Sequence, residues 1–283
     1  AKEGVNAQIS IPEHNREAFI KILHTHEEFR DMHQKIAIED DGKSFFKLII
    51  KTKDQIVADG LPYGEYDITN VGNHLDAKQW NEALDEGAIV VDMRNHYESE
   101  IGRFKGAICP QSDTFKEELP EVLDDLKGKE DDKILLYCTG GIRCEKTSAY
   151  LKHHGFNDVS QLNGGIIDYA RQLQQNENID NKFVGKNFVF DERLGERISD
   201  EVISNCHQCG ESSDEHVNCS NKTCNLLFIQ CEECQGNNSG CCSPECIEFF
   251  QLSEEEQIAR RKGKKNASRF HNHQKVDLSK GFK

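Results

Sequence analysis

Apolar positions change their period along this chain, and the changes mark out three units. Near the start Val5, Ala7, Ile9 and Ile11 alternate with polar neighbours, the spacing of a half-buried strand. Pro12 stands where a helix can open, and Phe19, Ile20 and Leu23 follow at helical spacing. Lys35–Glu39 and Phe45–Thr52 read as two further strands. One helix and two strands after the first need another strand and helix to close a four-stranded sheet. Residues 1–71 are therefore expected to form a partial α+β, ferredoxin-like domain whose first strand and helix lie upstream.

From Gly72 strands and helices alternate, the signature of a parallel α/β sheet. Ala77–Glu86 is a predicted helix with Trp80 and Leu84 on one face. Ala88–Asp92 and Lys133–Tyr137 are continuous apolar runs of buried-strand type. Cys144–His154 is helical up to Gly155, Val159–Leu162 is a third strand, and Ile166–Gln174 a closing helix. The polar stretch 174–182 reads as a linker. These patterns give an α/β domain over 72–178 and a third unit over 179–283.

That third unit is defined by its cysteines. The 283-residue chain holds 12, and nine fall between Cys206 and Cys246. Thiols packed so densely beside a larger α/β region argue for metal binding and not for a secreted disulfide scaffold. Cys206-x-x-Cys209 and Cys231-x-x-Cys234 have knuckle spacing, and Cys219, Cys224, Cys242 and Cys246 supply four more thiols. Eight ligands fit two structural Zn²⁺ ions with Cys241 spare, unless it replaces Cys242. Spacing does not say which pairs share an ion. Leu226–Ile229 is expected to be the connecting strand.

Hydrophobic residues make up 36% of the chain and charged ones 30%, with no apolar run near the roughly 18 residues of a membrane helix. No apolar signal segment opens it, and the first residue is not Met, so a natural start upstream is expected. The compartment is read as cytoplasmic. Net charge is −15, which disfavours nucleic acid, yet residues 259–283 alone carry +8. Arg260, Arg261, Lys262, Lys264 and Lys265 are the candidate RNA contacts in that tail.

The chemistry centres on Cys138-Thr139-Gly140-Gly141-Ile142-Arg143, a tight loop between an apolar strand and a helix. The glycines let backbone N–H groups turn toward the Cys138 sulfur. The helix N-terminus and Arg143 add positive charge, so the thiolate is favoured over the thiol. Other residues stay open: Cys144 as resolving thiol or helix packing, Asp92 as orienting group or turn cap, Arg94 and Arg103 as phosphate ligands or solvated arginines. His271 and His273 are read as solvated. No dinucleotide fingerprint and no clear two-His-one-carboxylate iron set is legible.

Cys-x-x-Gly-x-Arg resembles the rhodanese active-site loop. Val91-Asp92-Met93-Arg94, Glu98, Phe104–Ala107 and Leu162–Gly165 resemble other rhodanese marks in the same order. The likeness extends further, through Glu3–Asn6, the string Cys138–Lys146, Phe188–Arg193 and the cysteine-rich tail. Together these resemble the bacterial rhodanese-domain proteins that act as tRNA uridine 5-hydroxylases. The resemblance implies oxygen-dependent hydroxylation of the wobble uridine at carbon 5, with tRNA as substrate, molecular oxygen as co-substrate and Cys138 and Arg143 at the centre. A sulfurtransferase carrying a persulfide on Cys138 and a non-enzymatic anion-binding module are the rival readings.

Overall fold

The computed structural model describes residues 1–30, 32, 34–38, 44–45, 48–263, 273 and 278. The N-terminal unit contributes one α-helix, α1 (Arg16–Leu23). The central unit runs β1 (Asn73–Leu75), α2 (Ala77–Asp85), β2 (Ile89–Asp92), α3 (His96–Glu100), β3 (Gly102–Phe104), α4 (Phe115–Asp125), β4 (Lys133–Tyr137), α5 (Ile142–His153), β5 (Asp158–Leu162) and α6 (Gly165–Gln175). Beyond it come β6 (Phe183–Asn187), β7 (Glu196–Arg197), β8 (His216–Asn218), β9 (Leu227–Ile229), α7 (Glu232–Asn237), α8 (Pro244–Phe250) and α9 (Glu254–Arg261).

The central sheet is parallel, in the order β1-β5-β4-β2. Its strands are apolar on both faces because helices cover both. The pleat of β4 sends Ile134, Leu136 and Cys138 into one core with Leu119, Val122 and Cys144. Leu135 and Tyr137 enter the opposite core with Trp80, Phe104 and Tyr169. Cys138 is thus placed on the α4–α5 side by the period of its own strand. Asp76 caps α2, accepting from the Gln79 amide at 2.9 Å.

The expected linker over 174–182 is shorter than the polarity implied. Helix α6 runs on to Gln175, and β6 opens at Phe183 to pair antiparallel with β3. A second sheet, β3-β6-β7, therefore stitches the C-terminal third onto the central unit. The two-stranded β8–β9 sheet adds Leu227 and Ile229 to a core shared with Tyr97, Ile101 and Phe188. The cysteine-rich unit is docked on α3.

In the N-terminal unit the helix forms as expected. Residues 5–11 and the described residues of 35–39 and 45–52 carry no strand pairing. Val5, Ile9, Leu48, Ile49 and Ile50 are exposed. Alternation marks which side of a segment is apolar, but a strand exists only with a ladder partner, and these segments have none among the described residues. The unit is moored by charge instead. Lys146, buried on α5, lies 2.8 Å from both Glu3 and Asp59, and Glu3 also accepts from the Ile56 amide at 2.7 Å.

Candidate active site

Strand β4 ends at Tyr137, and the chain turns through Cys138–Gly141 into α5. Gly141, with φ +94°, is the N-cap, a conformation that disfavours any side chain. Its amide donates to Cys138 Sγ at 3.1 Å. Gly165 lets α6 close on the loop from the other side, since a Cβ there would lie 2.5 Å from the Cys138 carbonyl oxygen. The Ile166 amide bonds that same oxygen at 3.0 Å. Two helix starts hold the loop, and its amides face inward.

Cys138 is 1% exposed. Burial alone would push its thiol up. The Cys144 thiol, the Arg143 charge and the amides of Arg143 and Cys144 outweigh that and take it down to about 5. Cys144 is driven the other way by burial and by the Cys138 sulfur, so it keeps its proton and donates it. Its place one turn into α5 is explained by that donation. Arg143 is itself gripped at both ends: its two terminal nitrogens donate to Glu98 at 2.6 and 2.9 Å, and Glu98 is fully buried. A Glu98–Arg143–Cys138 chain of charges results, two anions around one cation.

Glu118 on α4 is a further buried carboxyl, and sequence inspection passes over it. It is 0% exposed, and neither carboxylate oxygen has a hydrogen-bond partner among the described residues. Burial holds it protonated well above the usual carboxylate range, partly offset by Arg143 and reinforced by Asp92, Glu98 and Cys138. Thr139 Oγ1, in the loop itself, is likewise buried without a partner there. Lys35 of the N-terminal unit donates to the Gly140 carbonyl, so that unit borders the loop.

The chain matches three family models, "Rhodanese-like domain" over 76–172, "Rhodanase C-terminal" over 184–247 and "UPF0176 acylphosphatase like domain" over 1–56. A protein of Leptospira interrogans named tRNA uridine(34) hydroxylase is 57% identical over 277 residues, covering 98% of this chain and 75% of that one. Proteins of the same name from Photorhabdus laumondii and Salmonella choleraesuis are each 51% identical, covering 100% and 96% of this chain and 80% and 78% of theirs. This chain belongs to the tRNA uridine(34) hydroxylase family. The rhodanese-like parallel-sheet fold, with its flanking N-terminal unit and cysteine-rich C-terminal region, is the family's architecture here.

In this hydroxylase-family chain several marks serve the frame. Asp92 and Arg94 form a wholly buried pair, with Arg94 Nε 2.8 Å from Oδ1 and Nη2 2.6 Å from Oδ2. Arg94 also donates to the Gly102 carbonyl at 2.6 Å and Tyr137 to Asp92 at 2.7 Å. Arg94 is therefore neither solvated nor free for phosphate, because its whole guanidinium is enclosed. Arg103 donates to the Ser99 carbonyl at 3.0 Å. Arg193 pairs with Asp191 and with Glu196, at 2.5 and 2.6 Å, inside the Phe188–Arg193 segment.

The eight thiols gather in two groups, Cys206, Cys209, Cys231 and Cys234 in one and Cys219, Cys224, Cys242 and Cys246 in the other. First knuckle pairs with third and second with fourth, an interleaved arrangement that spacing left open. None of the twelve cysteines is joined in a disulfide. Cys241 is buried with its sulfur on the Ser239 carbonyl at 3.7 Å. Arg260 and Arg261 close α9, whose start is capped by Ser253, and Lys262 follows. Lys264, Lys265 and His271 lie outside the described residues. His273 departs from its expected solvation, with a side chain 8% exposed and its ring centroid 4.0 Å from that of Tyr97.

Proposed function

We propose that this chain hydroxylates the wobble uridine of tRNA at carbon 5, with molecular oxygen as co-substrate and Cys138 as the reacting side chain. The observation that carries the reading is the Cys138 nest: a buried thiol at the mouth of two helices, brought down to about 5 by Cys144, Arg143 and loop amides against the pull of burial. A standing thiolate is what nucleophilic addition to a pyrimidine needs. Addition at carbon 6 forms the S–C6 bond and moves the C5–C6 pair onto carbon 5 and the carbon-4 oxygen, which makes carbon 5 electron-rich. Carbon 5 then takes one oxygen atom of O2, the other leaving as water with two electrons from an external reductant. Loss of the carbon-5 proton restores the C5–C6 bond and expels the thiolate. Arg143 supports this through its charge on the sulfur. One N–H of each terminal nitrogen goes to Glu98, which fixes the guanidinium beside the sulfur and leaves further N–H groups on it. Those groups and the unpartnered Thr139 hydroxyl are the candidate donors to a developing oxyanion.

The cysteine groups are structural zinc sites in this proposal. Tetrahedral bonds of about 2.3 Å put sulfurs about 3.8 Å apart. The contacts Cys209–Cys231, Cys224–Cys242 and Cys242–Cys246 measure 3.6, 3.6 and 3.8 Å, and all sulfurs of each group lie within 4.8 Å of one another, so the donor sets suit the ion. Free thiols and zinc fit a reducing, cytoplasmic setting. No described helix is long and apolar enough to cross a membrane. Arg260, Arg261 and Lys262, with Lys264 and Lys265 next in the sequence, are the basic residues offered to the RNA backbone.

Nucleoside analysis of tRNA from cells lacking the protein tests the activity. Loss of 5-hydroxyuridine, restored by the wild-type chain and not by Cys138→Ala, is the expected result. Unchanged nucleosides alongside strong thiosulfate:cyanide sulfur transfer would overturn it in favour of the persulfide reading.

A further inference from the structure

Three side chains from distant parts of the sequence meet beside α3. His96 opens that helix, Asp113 lies in the loop before α4, and His273 comes from the C-terminal tail. Their ligand atoms all lie within 4.8 Å of one another. His96 Nδ1 is 2.8 Å from Asp113 Oδ1, and His273 Nδ1 is 3.5 Å from that same oxygen. Metal bonds of about 2.1 Å at right angles put neighbouring donor atoms about 3.0 Å apart. The two distances bracket that edge, and the remaining separation, between the two imidazoles, is within 4.8 Å.

The surroundings hold the rings in place. His273 stacks on Tyr97 at 4.0 Å between centroids, and the His96 and His273 rings meet edge-on at 5.3 Å. His96 Nδ1 also lies 3.4 Å from the Ser112 carbonyl oxygen. The two histidine side chains are 13% and 8% exposed while Asp113 is 49% exposed. The cluster is thus walled on the imidazole side and open on the carboxylate side, where further ligands would enter. Glu98, which grips Arg143 of the nucleophile loop, lies two residues after His96 on the same helix.

We infer that His96, Asp113 and His273 form a site for a divalent transition ion. Two imidazoles and one carboxylate on one face, with open positions opposite, is the donor set that serves non-haem Fe(II), and thiolates, which would select zinc, are absent from it. The choice of iron rests on the hydroxylase reading above; the existence of the site rests on the three side chains alone. It stands apart from the two thiol groups, and none of the twelve cysteines belongs to it.

The test uses the full chain with its zinc in place. Fe(II) is added anaerobically, then nitric oxide, and the electron paramagnetic resonance spectrum is recorded. The expected result is the high-spin iron–nitrosyl signal at about one Fe(II) per chain. It should fall at least about tenfold in Asp113→Ala and in His273→Ala. Unchanged zinc content in both variants shows that they fold. A wild-type chain with no such signal, one giving only the cysteine-bound dinitrosyl signal, or variants that keep the full signal would each overturn the site. The readout is binding and not turnover. A negative nucleoside assay therefore counts against the hydroxylase reading and leaves this result untouched.

Discussion

At Cys138 one thiolate is stabilised by a neighbouring thiol, amides and a guanidinium, whereas in the 206–246 region eight thiols converge in two groups of four. Both regions make the same species, a sulfur anion in a sheltered place. The protein supplies the counter-charge in the first, and a metal ion would supply it in the second. The difference decides what each can do. A thiolate held by hydrogen bonds and a charge one residue group away keeps a lone pair for a substrate. A thiolate bonded to zinc within a closed set of four has spent it on structure. The cysteine-rich unit then acts at a distance, by docking β9 against α3 and so steadying Glu98 and Arg143.

Removing the metal should break the comparison most sharply. Structural zinc contributes on the order of 10–16 kcal/mol to folding of small thiolate sites. A strong chelator under reducing conditions should therefore expose eight thiols to titration and melt the 206–246 unit. The central sheet, whose cores contain none of those cysteines, should persist by circular dichroism. A chelated chain that keeps its full signal and hides the same thiols would show the unit to be held by packing alone.

The next effect lies in the loop. Glu98→Ala leaves the Arg143 cation buried and unpaired, and breaking such a pair costs about 3–5 kcal/mol. Urea unfolding should show a loss of that size. Arg143→Met removes the charge beside the sulfur, and an opposite charge that close is worth about 1–3 pKa units. The alkylation midpoint of Cys138 should rise by that amount from about 5. An unmoved midpoint would mean that the amides and Cys144 suffice.

The two regions also differ in how they showed in the sequence. The nucleophile loop is contiguous, with ligand, turn glycines and cation inside six residues, so its chemistry is legible without coordinates. The knuckles are legible for the same reason, though their interleaving is not, because partner choice depends on how β8 and β9 fold back. Glu98 shows in the sequence only as one of the rhodanese marks and Glu118 not at all; each matters through what lies across the core. His96, Asp113 and His273 are separated by 17 and 160 positions, and no motif scan joins them. The N-terminal alternation was local and strong, yet its segments have no ladder partner among the described residues.

A smaller effect should appear in the pH dependence of stability. The folded Cys138 thiol sits at about 5, below its unfolded value near 9. A depressed group contributes stability that is fully present above the unfolded value and is lost as pH falls through the folded one. Between about pH 5 and 8.5 the wild-type chain should therefore gain stability relative to Cys138→Ser as pH rises. Parallel curves for the two proteins would place the thiol at its ordinary value.

Glu118 should give the opposite slope. Its folded value is raised by burial, so its contribution is fully present below the unfolded carboxylate range and is lost as pH rises toward the folded value. At neutral pH the unfolded chain gains charge by ionising this group while the folded chain keeps it neutral, and each pH unit in that window favours unfolding by at most about 1.4 kcal/mol. Glu118→Gln keeps the shape, removes the titration and leaves Cys138, Arg143 and Glu98 in place. Thermal melts from pH 5 to 8 should show the variant gaining on wild type steadily across the range. If the two melting temperatures move in parallel, Glu118 is ionised in the fold and its partner is water.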